Sequence, residues 1–175
     1  TMWWNKYDKF ANKSALQTAI NMWISDNIRA LFIYGNISSW NTSLITNMQS
    51  LFQDKTTFND DISNWNVSNV TDMTMMFFQA HAFNQDITGW DMSNVMNTSS
   101  MFNNAYAFNQ DITGWVVSNV TKMNTMFNEA SSFNQDITGW VVSNVTNMNS
   151  MFLNASHFNQ DIRVWNVNDN AIFTN

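Results

Sequence analysis

The residues best suited to chemistry form a column: Asp61, Asp86, Asp111, Asp136 and Asp161 recur once every 25 residues. Stacked carboxylates are hard oxygen donors, and Asp86, Asp111 and Asp136 are the candidates for a calcium file. Each, however, is a single recurring acid, whereas calcium loops gather several acids and a turn glycine in one short segment. The stronger reading gives each carboxylate to backbone N–H groups of a turn, where Asp commonly sits. No metal and no other cofactor is therefore expected. Asn59, Asn84, Asn109, Asn134 and Asn159 run beside the acids and are expected to form a ladder of hydrogen-bonded amides. His81 and His157 fall in inter-repeat loops far apart along the chain, and each reads as a solvated loop residue. There is no Ser/His/Asp set, glycine-rich phosphate loop or paired-carboxylate signature, so the chain is not read as an enzyme.

The elements that position this column repeat with it. FNQDITGW stands at 83–90, 108–115 and 133–140, with looser copies at 58–65 and 158–165. Trp40, Trp65, Trp90, Trp115, Trp140 and Trp165 are spaced by 25 residues without a gap. A strict period of this length means stacked units that share one core. The units read as 37–61, 62–86, 87–111, 112–136, 137–161 and a partial 162–167, with a cap at 1–36 and a tail at 168–175. Trp65, Trp90, Trp115, Trp140, Ile87, Ile112, Phe102 and Phe127 are assigned to the core.

Inside the unit, Ile137-x-x-Trp140-x-Val142 alternates as a short half-buried strand does. Val145, Met148, Met151, Phe152 and Ala155 follow at steps of three and four, which is helical spacing, with Ser143 or Asn144 as N-cap. The spacing thus predicts an α/β solenoid, leucine-rich-repeat-like and right-handed, of about five strand-plus-short-helix repeats. An all-β solenoid is the alternative, but steps of three and four would scatter over both faces of a strand. In the cap, Ser14 and Gln17 fit a capping box for a helix at about 14–26. LFIYG at 31–35 reads as a strand, and Trp3, Trp4 and Tyr7 are expected to fold over the first turn of the stack.

Composition narrows the function. Of the 175 residues 45% are hydrophobic, ample for a core, and only 11% are charged, less than half the usual share of about 25%. A net charge of −6 argues against nucleic acid, whose phosphates need clustered Lys and Arg. The chain has no cysteine and no apolar run long enough to span a membrane.

The unit D-I-T-G-W-x-V-S-N-V-T-x-M-x-x-M-F-x-x-A-x-x-F-N-Q resembles the BspA-like leucine-rich-repeat family of bacterial surface proteins, over about residues 31–167. Thr98, Met96 and Lys55 depart from that pattern. The resemblance implies a secreted or cell-surface protein, often lipid- or wall-anchored, used in adhesion or in host and matrix binding. It implies no enzymatic activity.

Two functional expectations follow. In the leucine-rich-repeat reading Asn41, Asn66, Asp91, Val116, Val141 and Asn166 project outward in one file. Their variation from coil to coil, and the apolar pair Val116 and Val141, mark a candidate binding face for a protein or glycan partner. The second expectation is a self-assembling structural protein. NDNAIFTN at 168–175 offers no helix to cover the last turn, and an open edge invites head-to-tail contact with another copy, giving oligomers or filaments.

Overall fold

The structure, a computed structural model, describes residues 10–173. Two helices come first: α1, Lys13–Ser25, and α2, Asn27–Tyr34. After them the chain runs as stacked coils with one-turn 3-10 helices at Ile37–Ser39 and Ile162–Val164.

α1 begins at Asn12, whose side chain accepts the Ala15 N–H at 3.0 Å. Leu16, Ala19, Ile20 and Trp23 recur at helical spacing and are buried. Ser14 lies inside the helix, and Gln17 donates its amide to the Leu51 carbonyl at 3.0 Å. That residue therefore covers a carbonyl at the edge of the stack. Asp26 closes α1 with its N–H on the Met22 carbonyl and opens α2 by accepting the Arg29 N–H. Only Ala30 of α2 is buried.

The expected α/β solenoid is not the fold, and neither is the all-β alternative. Among the described residues no strand forms; the parallel bridges Asn47–Asp72, Asp72–Asn97, Asn97–Lys122, Lys122–Asn147 and Asn147–Ile172 are isolated. Residues 31–35 are not a strand either, because Leu31–Tyr34 belong to α2, capped by Asp26 in front and Gly35 behind. Local caps override the β-preference of LFIY. The segment read as a strand, Ile137 to Val142, is a turn in which Trp140 donates to the Ile137 carbonyl at 3.1 Å.

The segment read as a helix is a chain of overlapping turns. In the coil 73–80 the N–H groups of Met73, Met75, Phe77 and Gln79 cross to the carbonyls of Asn97, Ser99, Met101 and Asn103 at 2.8–2.9 Å. Those of Met76, Phe78 and Ala80 return to the carbonyls three residues back, and Thr74 donates to Asp72 Oδ1. Every N–H from 73 to 80 thus has an acceptor, as buried backbone requires. Turns closed every three residues produce the same spacing of buried side chains as a helix. What separates them is φ: Met75 and Gln79 sit at +56°, and Ser100, Asn104, Thr125, Glu129, Ser150 and Asn154 repeat the pattern. A positive φ at the third turn position is the mark of a type II turn and cannot occur within a right-handed helix.

Side chains stack in register with the ladder. Phe52, Phe77, Phe102, Phe127 and Phe152 form one column, with ring centroids 5.4–5.7 Å apart. Phe58, Phe83, Phe108, Phe133 and Phe158 form a second at 5.9–6.1 Å. Trp65, Trp90, Trp115 and Trp140 each send the indole N–H back one coil, as Trp115 does to the Ile87 carbonyl at 3.2 Å. Trp65, Trp90, Trp140, Ile87, Ile112, Phe102 and Phe127 are buried with it. Thr98 occupies the place of a core Met without leaving its hydroxyl unpaired, since the Lys122 carbonyl accepts it at 3.3 Å.

Trp115→Ala should cost about 3–5 kcal/mol in urea unfolding, because it opens a cavity and strands the Ile87 carbonyl. Met75→Asn should raise the unfolding free energy by about 1 kcal/mol, seen as a higher urea midpoint at unchanged slope, because Asn tolerates the left-handed region better than Met does. A lower midpoint would contradict the assigned turn.

Candidate binding flank

The file Asn41, Asn66, Asp91, Val116, Val141 and Asn166 runs down one flank, immediately after each Trp. Asn41 is half-buried and the other five are exposed. The oxygens of Asn41, Asn66 and Asp91 accept the N–H two residues ahead, from Ser43, Ser68 and Ser93. These polar members therefore shape their own turns. Val116 and Val141 have no such role and stand 53% and 57% exposed. Gly114 and Gly139 lie two residues before them, and a Cβ at either would meet nothing within 4 Å. Neither packing nor a positive φ requires glycine there, so the valines project from a bare surface. At the other end of the flank Asn41, Asn64 and Asn66 line a shallow depression of about 300 Å³ with Ser39, Trp40 and Thr42.

The Asp column lies on an adjoining corner. The Ser63, Thr88 and Thr113 N–H groups bond Asp61, Asp86 and Asp111 at 2.9 Å and, with the hydroxyls of the same residues, hold these carboxyls below the usual 3.8. At Asp91 and Asp136 the hydroxyls of Ser93 and Thr138 are the larger cause of the same downward shift. At Asp161 it is the Arg163 side chain, which is also ion-paired to it at 2.7 Å. Each carboxylate is engaged within its own coil, and among the described residues no three His, Cys, Asp or Glu side chains come together as a metal site.

Beside the acids the amide ladder is formed. Asn59, Asn84, Asn109 and Asn134 accept through Oδ1 the N–H of the Asn one coil ahead, at 2.8–2.9 Å. His81 stacks on Tyr106 at 4.6 Å, and His157, about three coils further along, contacts the Ser131 carbonyl one coil back.

Sequence reasoning expected an open last turn but missed the apolar face of α2 at the first end. Ile28 and Phe32, one turn apart on α2, are 84% and 88% exposed. Read as a strand entry, 31–35 concealed that spacing; Asp26 and Gly35 as helix boundaries would have revealed it. At the last described coil, Met151, Phe152, Leu153, Trp165, Val167 and Phe173 help line a groove of about 710 Å³. Among the described residues no helix is long and apolar enough to cross a membrane.

These coils, linked at constant offsets of about 25 residues, define a tandem-repeat protein built from stacked turns. The family model described as Mycoplasma protein of unknown function, DUF285, matches residues 26–130 and 88–175, and the chain belongs to that family. The match supports a repeat family and carries nothing specific to the BspA-like group. No curated protein and no solved structure matches the chain.

The depressed carboxyl pKa values set a pH dependence. A group whose folded pKa lies below its unfolded value stabilises when ionised, so the contribution is present above about pH 4 and is lost as pH falls through the folded value. Melting temperature should fall on acidification below about pH 4. Replacing Asp86, Asp111 and Asp136 together by Asn, which keeps Oδ1, should flatten that limb in melts between pH 2 and 7; an unchanged limb would acquit the column.

Proposed function

We propose that this chain is a non-enzymatic interaction module, secreted or held at a cell surface, that binds a protein or glycan through the flank. One observation carries the reading: the core columns repeat while the exposed file changes from Asn to Asp to Val along the coils. Side chains with no packing role can vary freely, and a cluster of exposed apolar ones is a common mark of an interaction surface. Val116 and Val141 supply the apolar centre, and the amide-lined depression at Asn41 and Asn66 supplies hydrogen-bonding groups for a hydroxyl-rich or peptide ligand. Use as a BspA-like adhesion module belongs to the same proposal.

The test is a screen of the purified chain on a glycan array and on immobilised extracellular-matrix proteins. The Val116→Asp/Val141→Asp variant should lose at least tenfold in affinity for any ligand found, while its melting temperature stays near that of the wild type. Unchanged binding would clear this flank of the role.

A further inference from the structure

In the middle of the stack, the turn between the two Phe columns carries a feature that neither the core nor the flank uses. One residue per coil stands there in file: Thr56, His81, Tyr106, Ser131 and Ser156. Backbone bonds hold the file in register, the Ala107 N–H on the His81 carbonyl at 3.1 Å and the Ser132 N–H on the Tyr106 carbonyl at 3.2 Å. His81 and Tyr106 stack with ring centroids 4.6 Å apart. Tyr106 is 41% exposed, and among the described residues no other ring packs on it. His81 belongs to the coil before, so the second face of Tyr106 looks along the stack toward Ser131, whose side chain is too short to continue the column. In the Phe columns rings of adjacent coils stack at 5.4–6.1 Å, so the seat that a ring would take above Ser131 stands open. The Tyr106 plane is also held from its hydroxyl, which donates to Asn104 Oδ1 at 3.0 Å, and the Asn104 amide is bonded in turn to Asn103 Oδ1 at 2.6 Å. A surface fixed before binding loses little freedom when a ligand arrives.

Charge points to the occupant. One coil beyond Asn104, at the same register, stands Glu129, the single glutamate of the chain. It therefore belongs to the coil that the open face of Tyr106 looks toward. Glu129 Oε1 accepts from the Asn154 amide at 2.7 Å, a neutral partner. Among the described residues the one ion pair is Arg163 with Asp161, so no cation neutralises Glu129. An open aromatic face with a carboxylate beside it favours a cation, because the ring quadrupole and the carboxylate act in the same sense. The chain's net charge of −6 adds to that attraction. A guanidinium suits the seat better than an ammonium: it is flat, stacks on aromatic rings, and presents its N–H fork to a carboxylate.

We infer that this corner binds an arginine side chain of a protein partner, the guanidinium stacked on Tyr106 in the ring's seat and hydrogen-bonded to Glu129. The inference does not depend on what the flank binds, and its failure would leave that reading untouched.

The experiment is a heteronuclear NMR titration of the full chain with N-acetyl-arginine amide at constant ionic strength. Backbone signals of Tyr106, Ser131 and Glu129 should shift saturably, while those of Val116 and Val141 stay in place. N-acetyl-citrulline amide is flat but uncharged, and N-acetyl-lysine amide is charged but not flat; each should bind at least about fivefold more weakly. Tyr106→Ser and Glu129→Gln should each weaken arginine binding at least about fivefold, and Ser131→Tyr should block it by filling the seat while both partners remain. Each replacement is the residue that an adjacent coil carries in the same file (Ser131, Gln79 and Tyr106), so melting temperatures should stay near wild type; Ser131→His serves where tyrosine lowers it. No saturable shift by about 50 mM, equal binding of the citrulline or lysine derivative, or undiminished binding by Ser131→Tyr would each overturn the inference. Free L-arginine binding about tenfold tighter than the blocked form would overturn it too, since the seat would then belong to a small molecule.

Discussion

A chain without a sheet still has to find acceptors for its peptide N–H groups where water is excluded. The coil 73–80 does so by alternation: one N–H closes a turn within the coil, and the next crosses to the neighbouring coil. Chained turns of this kind need positive φ at set places, and Met75, Ser100, Thr125 and Ser150 accept it although none is glycine. A left-handed residue with a Cβ costs about 1–2 kcal/mol, so the conformation persists only because the ladder on both sides demands it. Backbone bonding between coils is therefore the constraint from which the placement of side chains follows.

The side chains reinforce the same offset by several independent means. Phenylalanine columns stack, indoles reach back to an Ile carbonyl, and Asn side chains accept from the Asn one coil ahead. Aromatic pairs add about 0.5–1.5 kcal/mol beyond their burial, and each net hydrogen bond about 0.5–1.5 kcal/mol. Ordering a residue's backbone costs about 1–2 kcal/mol, so the small terms matter through their number. One coil alone has none of the cross-coil partners, which makes cooperation between coils a condition of folding.

Period, core columns and the engagement of the Asp column were legible because each leaves a mark in residue identity. Trp every 25 residues fixes the unit, and an acid two places before Ser or Thr is the signature of a side chain closing its own turn. The conformation between those marks was not legible. Steps of three suit a helix and a chain of turns equally, and the sign of φ at Met75 or Thr125 is set by neighbouring coils rather than by those residues. The flank was visible as variation, although Gly114 and Gly139 gave no hint that they stand in open space. The α2 face was hidden behind β-prone letters, whereas the last turn was legible as an open edge and only the side chains lining its groove were not.

The offsets joining coils are integers tied to a single length. Amide to amide spans 25 residues, indole to carbonyl 28, and ladder N–H to carbonyl 24. Losing or gaining one residue inside a coil would put all three out of step at once, whereas adding 25 leaves every pairing as it was. Such an array can change length only in whole coils. Near-identical stretches such as 83–90, 108–115 and 133–140 are the sites at which unequal exchange between gene copies would add or remove one without damage. The reach of the molecule is then a heritable quantity that moves in discrete steps while its chemistry stays the same.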